Sequence, residues 1–84
     1  MSTYRVEVRI TPREGLLDPE GKAVEHALQA LEFRGVHGVA VGRLIRFELE
    51  GADEEDARRK ADEMCRKLLA NPVTEDYVLG LEAA

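Results

Sequence analysis

Apolar and polar positions alternate through the first stretch of the chain, Tyr4, Val6, Val8 and Ile10 against Arg5, Glu7, Arg9 and Thr11. A period of two predicts a strand with one face in a core and the other in water. The spacing then turns helical. Val24, Ala27, Leu28 and Leu31 recur three and four apart, with Lys22, Glu25, Gln29 and Glu32 pointing elsewhere, which predicts a helix from Pro19 to about Phe33 that ends at Gly35. Asp18 is the expected N-cap, and Pro19 falls at the first helical position, where a missing N–H costs nothing. With Gly21 in the first turn, Asp18 and Pro19 form a structural joint between strand and helix.

Val36 to Glu50 is too long for an ordinary strand and carries Gly42-Arg43 at its middle. Glycine at the first central position fits a two-residue type II′ turn, so Gly42 and Arg43 complete the list of joint residues. Folding there pairs Val41 with Leu44, Ala40 with Ile45, Gly38 with Phe47 and Val36 with Leu49. One face of the hairpin is then Val36, Gly38, Ala40, Ile45, Phe47 and Leu49, and the other carries His37, Val39, Val41, Leu44, Arg46 and Glu48. A single bent strand over the same residues is the alternative.

A second helix begins after Asp53 as N-cap, with Glu54, Glu55 and Asp56 at the positive end of its dipole. Its expected core stripe is Ala57, Ala61, Met64, Cys65 and Leu68, and its charges read as a solvated face of neighbours three and four apart. Asn71-Pro72 stops it, because the residue before proline is pushed out of the helical region. A last strand, Asp76 to Leu81, sets Tyr77, Leu79 and Leu81 on one side. The order β-α-β-β-α-β predicts an α+β, ferredoxin-like domain over residues 1–84, an antiparallel sheet with two helices on one face. The other face is expected to present Val39, Val41 and Leu44 amid Arg5, Glu7, Arg9, Arg46 and Glu48, an apolar centre with a charged rim. Val39, Val41, Leu44 and Arg46 are therefore the expected partner interface.

Length and charge sharpen that expectation. A chain of 84 residues has a thin core, and association is a common source of further stability at this size. With 17 acidic against 12 basic residues the net charge is −5, which disfavours nucleic acid and anionic membranes as partners. The charged, alternating N-terminus does not read as a targeting segment, no apolar run approaches a bilayer span, and the lone Cys65 fits a reducing compartment, so a cytoplasmic location is expected.

Candidate chemistry is sparse. His26 and His37 have no carboxylate at a spacing that builds a base or a metal site, and Cys65 lies on the buried stripe. Arg13 and Lys22 flank the first loop, but Asp18 and Glu20 put negative charge there. No catalytic, cofactor-binding or metal-binding residue is assigned. An acylphosphatase-type site would need a strand Asn, whereas Asn71 ends a helix; a copper-chaperone loop would need Cys-x-x-Cys; an RNA-recognition sheet would display aromatics on the open face. A small-ligand regulatory module of the ACT type shares the element order, with Gly15 to Asp18 lining a pocket at a dimer interface, and is the alternative reading.

Three motifs decide between these classes. Asp18-Pro19-Glu20-Gly21-Lys22-Ala23-Val24, Val39-Ala40-Val41-Gly42-Arg43-Leu44-Ile45 and Leu68-Leu69-Ala70-Asn71-Pro72-Val73-Thr74-Glu75-Asp76-Tyr77 together resemble, in order and spacing, the PurS family. These are small subunits of phosphoribosylformylglycinamidine synthase in purine biosynthesis. One departure is Glu32-Phe33-Arg34-Gly35, where the family often places a glycine directly after the last Leu of the helix. The resemblance implies a non-catalytic subunit, self-associated as a dimer or tetramer, that bridges a glutaminase and a large synthetase for ammonia transfer. ATP and Mg²⁺ would act in the complex, with no cofactor in this chain.

Overall fold

Alternation in the first segment produces an eleven-residue strand, β1 (Ser2–Pro12), whose inward side chains Val6, Val8 and Ile10 are buried. The computed structural model describes all residues, Met1–Ala84. After β1 come α1 (Pro19–Ala30), β2 (Arg43–Gly51), α2 (Glu54–Met64), a π-helical turn (Cys65–Leu69) and β3 (Glu75–Ala83). The sheet is antiparallel in the order β2-β1-β3. Val6 stands between Phe47 and Leu81, and Val8 between Ile45 and Leu79, so all three strands turn their apolar rows to one side. The α+β class expected from the pattern is the one observed, with three strands in place of four.

Only α2 covers the apolar side, packing against all three strands. It can lie close because its inner row is small: Ala57, Ala61 and Cys65 are fully buried. Gly51, at the end of β2, is part of that fit, since a Cβ there would lie 3.0 Å from the Ala57 Cβ. Asp53 caps the helix through the Asp56 N–H at 2.8 Å, and the Asp56 carboxylate reaches back to the Ala52 N–H at 2.9 Å.

The π turn corrects the predicted stripe of α2. The Ala70 N–H donates to the Cys65 carbonyl, five residues back, so the chain past Cys65 is rotated from the 3.6-residue register. Leu68 turns outward, 83% exposed, while Leu69 and Ala70 join the core; Met64, before the turn, stays at the edge of the buried row.

The larger correction concerns α1 and the predicted hairpin. Arg43 does not occupy a turn; it is the first residue of β2 and pairs with Ile10 on β1. Val36–Gly42 forms no strand and joins no sheet, and α1 makes no substantial contact with the strands or with α2. The two helices therefore do not share one face of this chain's sheet. The molecule measures 52 × 26 × 14 Å with a radius of gyration of 16.4 Å, where a compact chain of this length would have about 12 Å. A projecting arm, α1 with Val36–Gly42, accounts for the difference. Ten of 84 residues are buried: the apolar stripe of the arm remains largely open, and the flanking rows of the sheet are only partly covered.

Candidate functional site

The arm is built from the joint residues. Asp18 caps α1 with one carboxylate oxygen, accepting from the Gly21 N–H at 3.0 Å, and with the other accepts from the Val41 N–H at 3.1 Å. Two turns further on, Glu25 accepts from the Val39 N–H at 3.2 Å, and a turn beyond that Gln29 donates to the Val36 carbonyl at 3.0 Å. Eleven helical residues and five returning residues thus cover the same distance, roughly 16 Å, which requires the return segment to run close to full extension. These bonds take up backbone N–H groups that a hairpin would have needed, the physical reason the predicted pairing within the chain is absent. Glu25 is only 9% exposed, and the Val39 N–H holds its carboxyl below the usual range.

Gly21 and Gly42 mark the closest approaches. A Cβ on Gly21 would fall 2.5 Å from the Val39 carbonyl oxygen, and one on Gly42 would fall 2.1 Å from the Ile10 carbonyl oxygen. Arg43, next in line, forks onto the Glu75 carboxylate and donates to the Leu69 carbonyl. The structure therefore brings Asp18, Pro19, Gly21, Gly42 and Arg43 together at the base of the arm, where the chain leaves β1 and returns to β2.

The expected interface residues are divided. Leu44 and Arg46 lie on the open face of the sheet with Arg5, Glu7, Arg9 and Glu48, as the pattern suggests. Val39 and Val41 do not; they sit on the arm, so the open face lacks the predicted apolar centre. In its place is a checkerboard of charge. Arg5 stands between Glu48 and Glu82, and Glu7 between Arg46 and Gly80, while the apolar pair Leu44 and Val78 flanks Arg9.

Two surfaces that the pattern assigned to a core are uncovered. On α1, Val24 is 40% and Leu31 68% exposed, because Gly21, Glu25 and Leu28 are the residues turned toward the return segment. On the sheet, an open groove beside α2 is lined by Phe47, Met64, Leu68 and Leu69, with Lys60, Glu63 and Lys67 at its edge. Its signal in the sequence, the stripe Met64-Leu68, is legible only once the π turn is known.

Other candidates are quiet. Arg13 is engaged with the Pro72 carbonyl at 2.8 Å and with Asp76 at 3.3 Å. Cys65 is buried, which pushes its thiol up from the ordinary value. His26 and His37 are exposed. No group of three or more His, Cys, Asp or Glu converges in a way that could hold a metal ion, and no helix is long and apolar enough to cross a membrane.

The family profile described as PurS, phosphoribosylformylglycinamidine (FGAM) synthase, matches residues 5–83, nearly the whole chain. The chain belongs to the PurS family. Among its PurS relatives, the phosphoribosylformylglycinamidine synthase subunit PurS of Methanocaldococcus jannaschii is 40% identical over 79 residues, covering 94% of this chain and 95% of the relative. Among solved structures, Bacillus subtilis PurS in a C2 crystal form superposes with a TM-score of 0.82 at 40% identity, over 94% of this chain and 98% of that one. A chain in the structure of PurLQS from Thermotoga maritima superposes with a TM-score of 0.88 at 27% identity, over 98% of this chain and 100% of that one. Superposition at that coverage includes the arm, so its projection from the sheet is shared with other PurS chains.

Proposed function

We propose that this chain is the small subunit of phosphoribosylformylglycinamidine synthase and acts in the cytoplasm without chemistry of its own. The observation that carries the reading is the match along nearly the full chain to PurS subunits, one of them within a PurLQS structure. In this reading the chain self-associates and holds a glutaminase against a large synthetase. ATP and Mg²⁺ work on the synthetase, and ammonia released by the glutaminase reaches it without passing through bulk water. An organiser has a mechanistic purpose there, because ammonia lost to solvent uncouples glutamine hydrolysis from amidine formation. Exposed Val24, Leu31, Met64 and Leu68 support the reading, since apolar surface on this scale in a small chain calls for a partner.

The test is reconstitution. The large synthetase and the glutaminase from the same source are assayed for glutamine-dependent amidine formation with and without this chain. Activity that depends on its addition is expected; equal rates in both mixtures overturn the reading.

A further inference from the structure

The outer side of β3 is fixed by two hydrogen bonds just beyond and at its ends. The Arg13 N–H donates to the Thr74 carbonyl, and the Ala84 N–H donates to the Thr3 carbonyl. Bonded pairs recur at every second residue of an antiparallel ladder, so Asp76, Val78, Gly80 and Glu82 turn their N–H and C=O groups to β1. Tyr77, Leu79 and Leu81 therefore turn theirs away from the sheet, where no strand follows.

An edge of this kind is normally guarded. β2, the opposite edge, carries Arg46 and Glu48 in its middle, whereas β3 has no proline, lysine or bulge and no charge from Tyr77 to Leu81. Its charges stand toward the ends. On the open face Asp76 and Glu82 each meet one arginine of β1, Arg13 at 3.3 Å and Arg5 at 3.4 Å, and on the side away from β1 nothing of the sheet opposes them. Between them Val78 is 64% exposed, and Gly80 leaves room, the nearest atom to a Cβ there being 3.8 Å away.

The acidic ends select the occupant. Two copies laid antiparallel along this edge at full overlap would centre on Leu79 and set Asp76 against Glu82 twice, acid on acid. A strand with basic residues six apart satisfies both ends, and the net charge of −5 favours such a partner at longer range. We propose that the free edge of β3 binds an extended, basic-ended segment of a different polypeptide, added antiparallel as a fourth strand. Its backbone bonds run to Tyr77, Leu79 and Leu81, its basic side chains face Asp76 and Glu82, and a large side chain between them covers Gly80. The alternate row of the segment enters the shallow groove between β3 and α2, where Arg58, Arg59 and Asp62 are already paired with Glu54, Asp56 and Arg66. Small neutral side chains fit there.

The experiment titrates the isotope-labelled full chain with the capped peptide Arg-Thr-Tyr-Thr-Val-Thr-Arg and follows amide exchange. The N–H groups of Tyr77, Leu79 and Leu81 should slow, while those of Val78 and Gly80, already bonded to β1, keep their rates. The same peptide with Glu at both ends should bind about tenfold more weakly. D76K/E82K should invert that preference with exchange in β1 unchanged, because both ion pairs it removes are exposed. Equal binding of the two peptides, a response away from β3, or no response overturns the proposal. So does protection of Tyr77, Leu79 and Leu81 that precedes the peptide and fades on dilution, which assigns the edge to a second copy of the chain. The edge is defined by the sheet alone, so this result and the reconstitution above fail separately.

Discussion

Arg43 and Glu75 form a two-pronged ion pair, Nη1 to Oε2 at 2.7 Å and Nη2 to Oε1 at 3.1 Å. Each also holds a neighbouring backbone. Arg43 Nη2 donates to the Leu69 carbonyl at 2.8 Å, and Glu75 Oε1 accepts from the Asn71 N–H at 2.8 Å. The pair therefore ties the start of β2 to the turn that connects α2 with β3. It also joins two motifs far apart in sequence, Val39–Ile45 and Leu68–Tyr77.

Arg43→Met should lower stability by about 1 kcal/mol, the upper range for an exposed pair, because the fork is bidentate. Arg43→Lys should recover little of it, since an ammonium cannot fork. Urea unfolding at low and high salt checks both: the difference from wild type should shrink as salt rises.

Asp18→Ala removes the cap of α1 and the acceptor of the Val41 N–H together. Loss of the cap alone costs about 0.5–2 kcal/mol. Amide exchange should quicken first at Gly21 and Val41, ahead of β1, because the arm opens without the sheet.

Glu32 has φ of 75°, a left-handed conformation that disfavours residues with a Cβ. It closes α1 in a Schellman motif, with Phe33 N–H to Leu28 carbonyl at 3.1 Å and Glu32 N–H to Gln29 carbonyl at 2.9 Å. Glu32→Gly should stabilise by about 1 kcal/mol and raise Tm by several degrees, whereas Glu32→Ala should not. Thermal unfolding of the three proteins decides it.

Gly42→Ala should cost about 1–3 kcal/mol, because its Cβ would meet a backbone carbonyl that cannot move aside alone. Gly35→Ala is the control: nothing lies within 4 Å of a Cβ there and its φ is not left-handed, so little change is expected. Chemical denaturation of both variants measures the contrast.

Acid should weaken the fold in a defined window. The Ala52 N–H, with Lys60 and Arg59, lowers the Asp56 carboxyl from 3.8 to about 2. A carboxyl lowered on folding adds stability that is whole above its unfolded value and lost as pH falls through its folded one. For Asp56 that window runs from about pH 4 to about pH 2. Glu75 and Glu25, lowered chiefly by Arg43 and by the Val39 N–H, add losses that begin below 4.5. In urea titrations against pH, Asp56→Asn should make the loss between about pH 4 and about pH 2 shallower, leaving the part due to Glu75 and Glu25.

Much of the sheet and α2 is legible in residue order. The inward row of β1, the apolar row of β2, the row Tyr77, Leu79 and Leu81, and the caps Asp18 and Asp53 all fall where the pattern assigns them. Glu32 is a local miss with a local cause: the glycine that usually announces a left-handed helix end is absent, and hydrogen bonds to Gln29 and Leu28 hold the conformation instead. The site is legible in identity but not in arrangement. The joint residues are evident as caps and turn formers, yet that Asp18 would reach Val41 across 23 residues has no local signal.

Residue order by itself determined which faces are apolar and where helices start, because those depend on periodicity and on a few neighbouring bonds. Tertiary structure decided where the buried faces go. The π turn rotated Leu68 out and Leu69 in; the carboxylates of Asp18 and Glu25 took the N–H groups of Val41 and Val39; Arg43 joined β2 beside Ile10. Periodicity records that a face is apolar, and says nothing of which surface, in the same chain or another, will cover it.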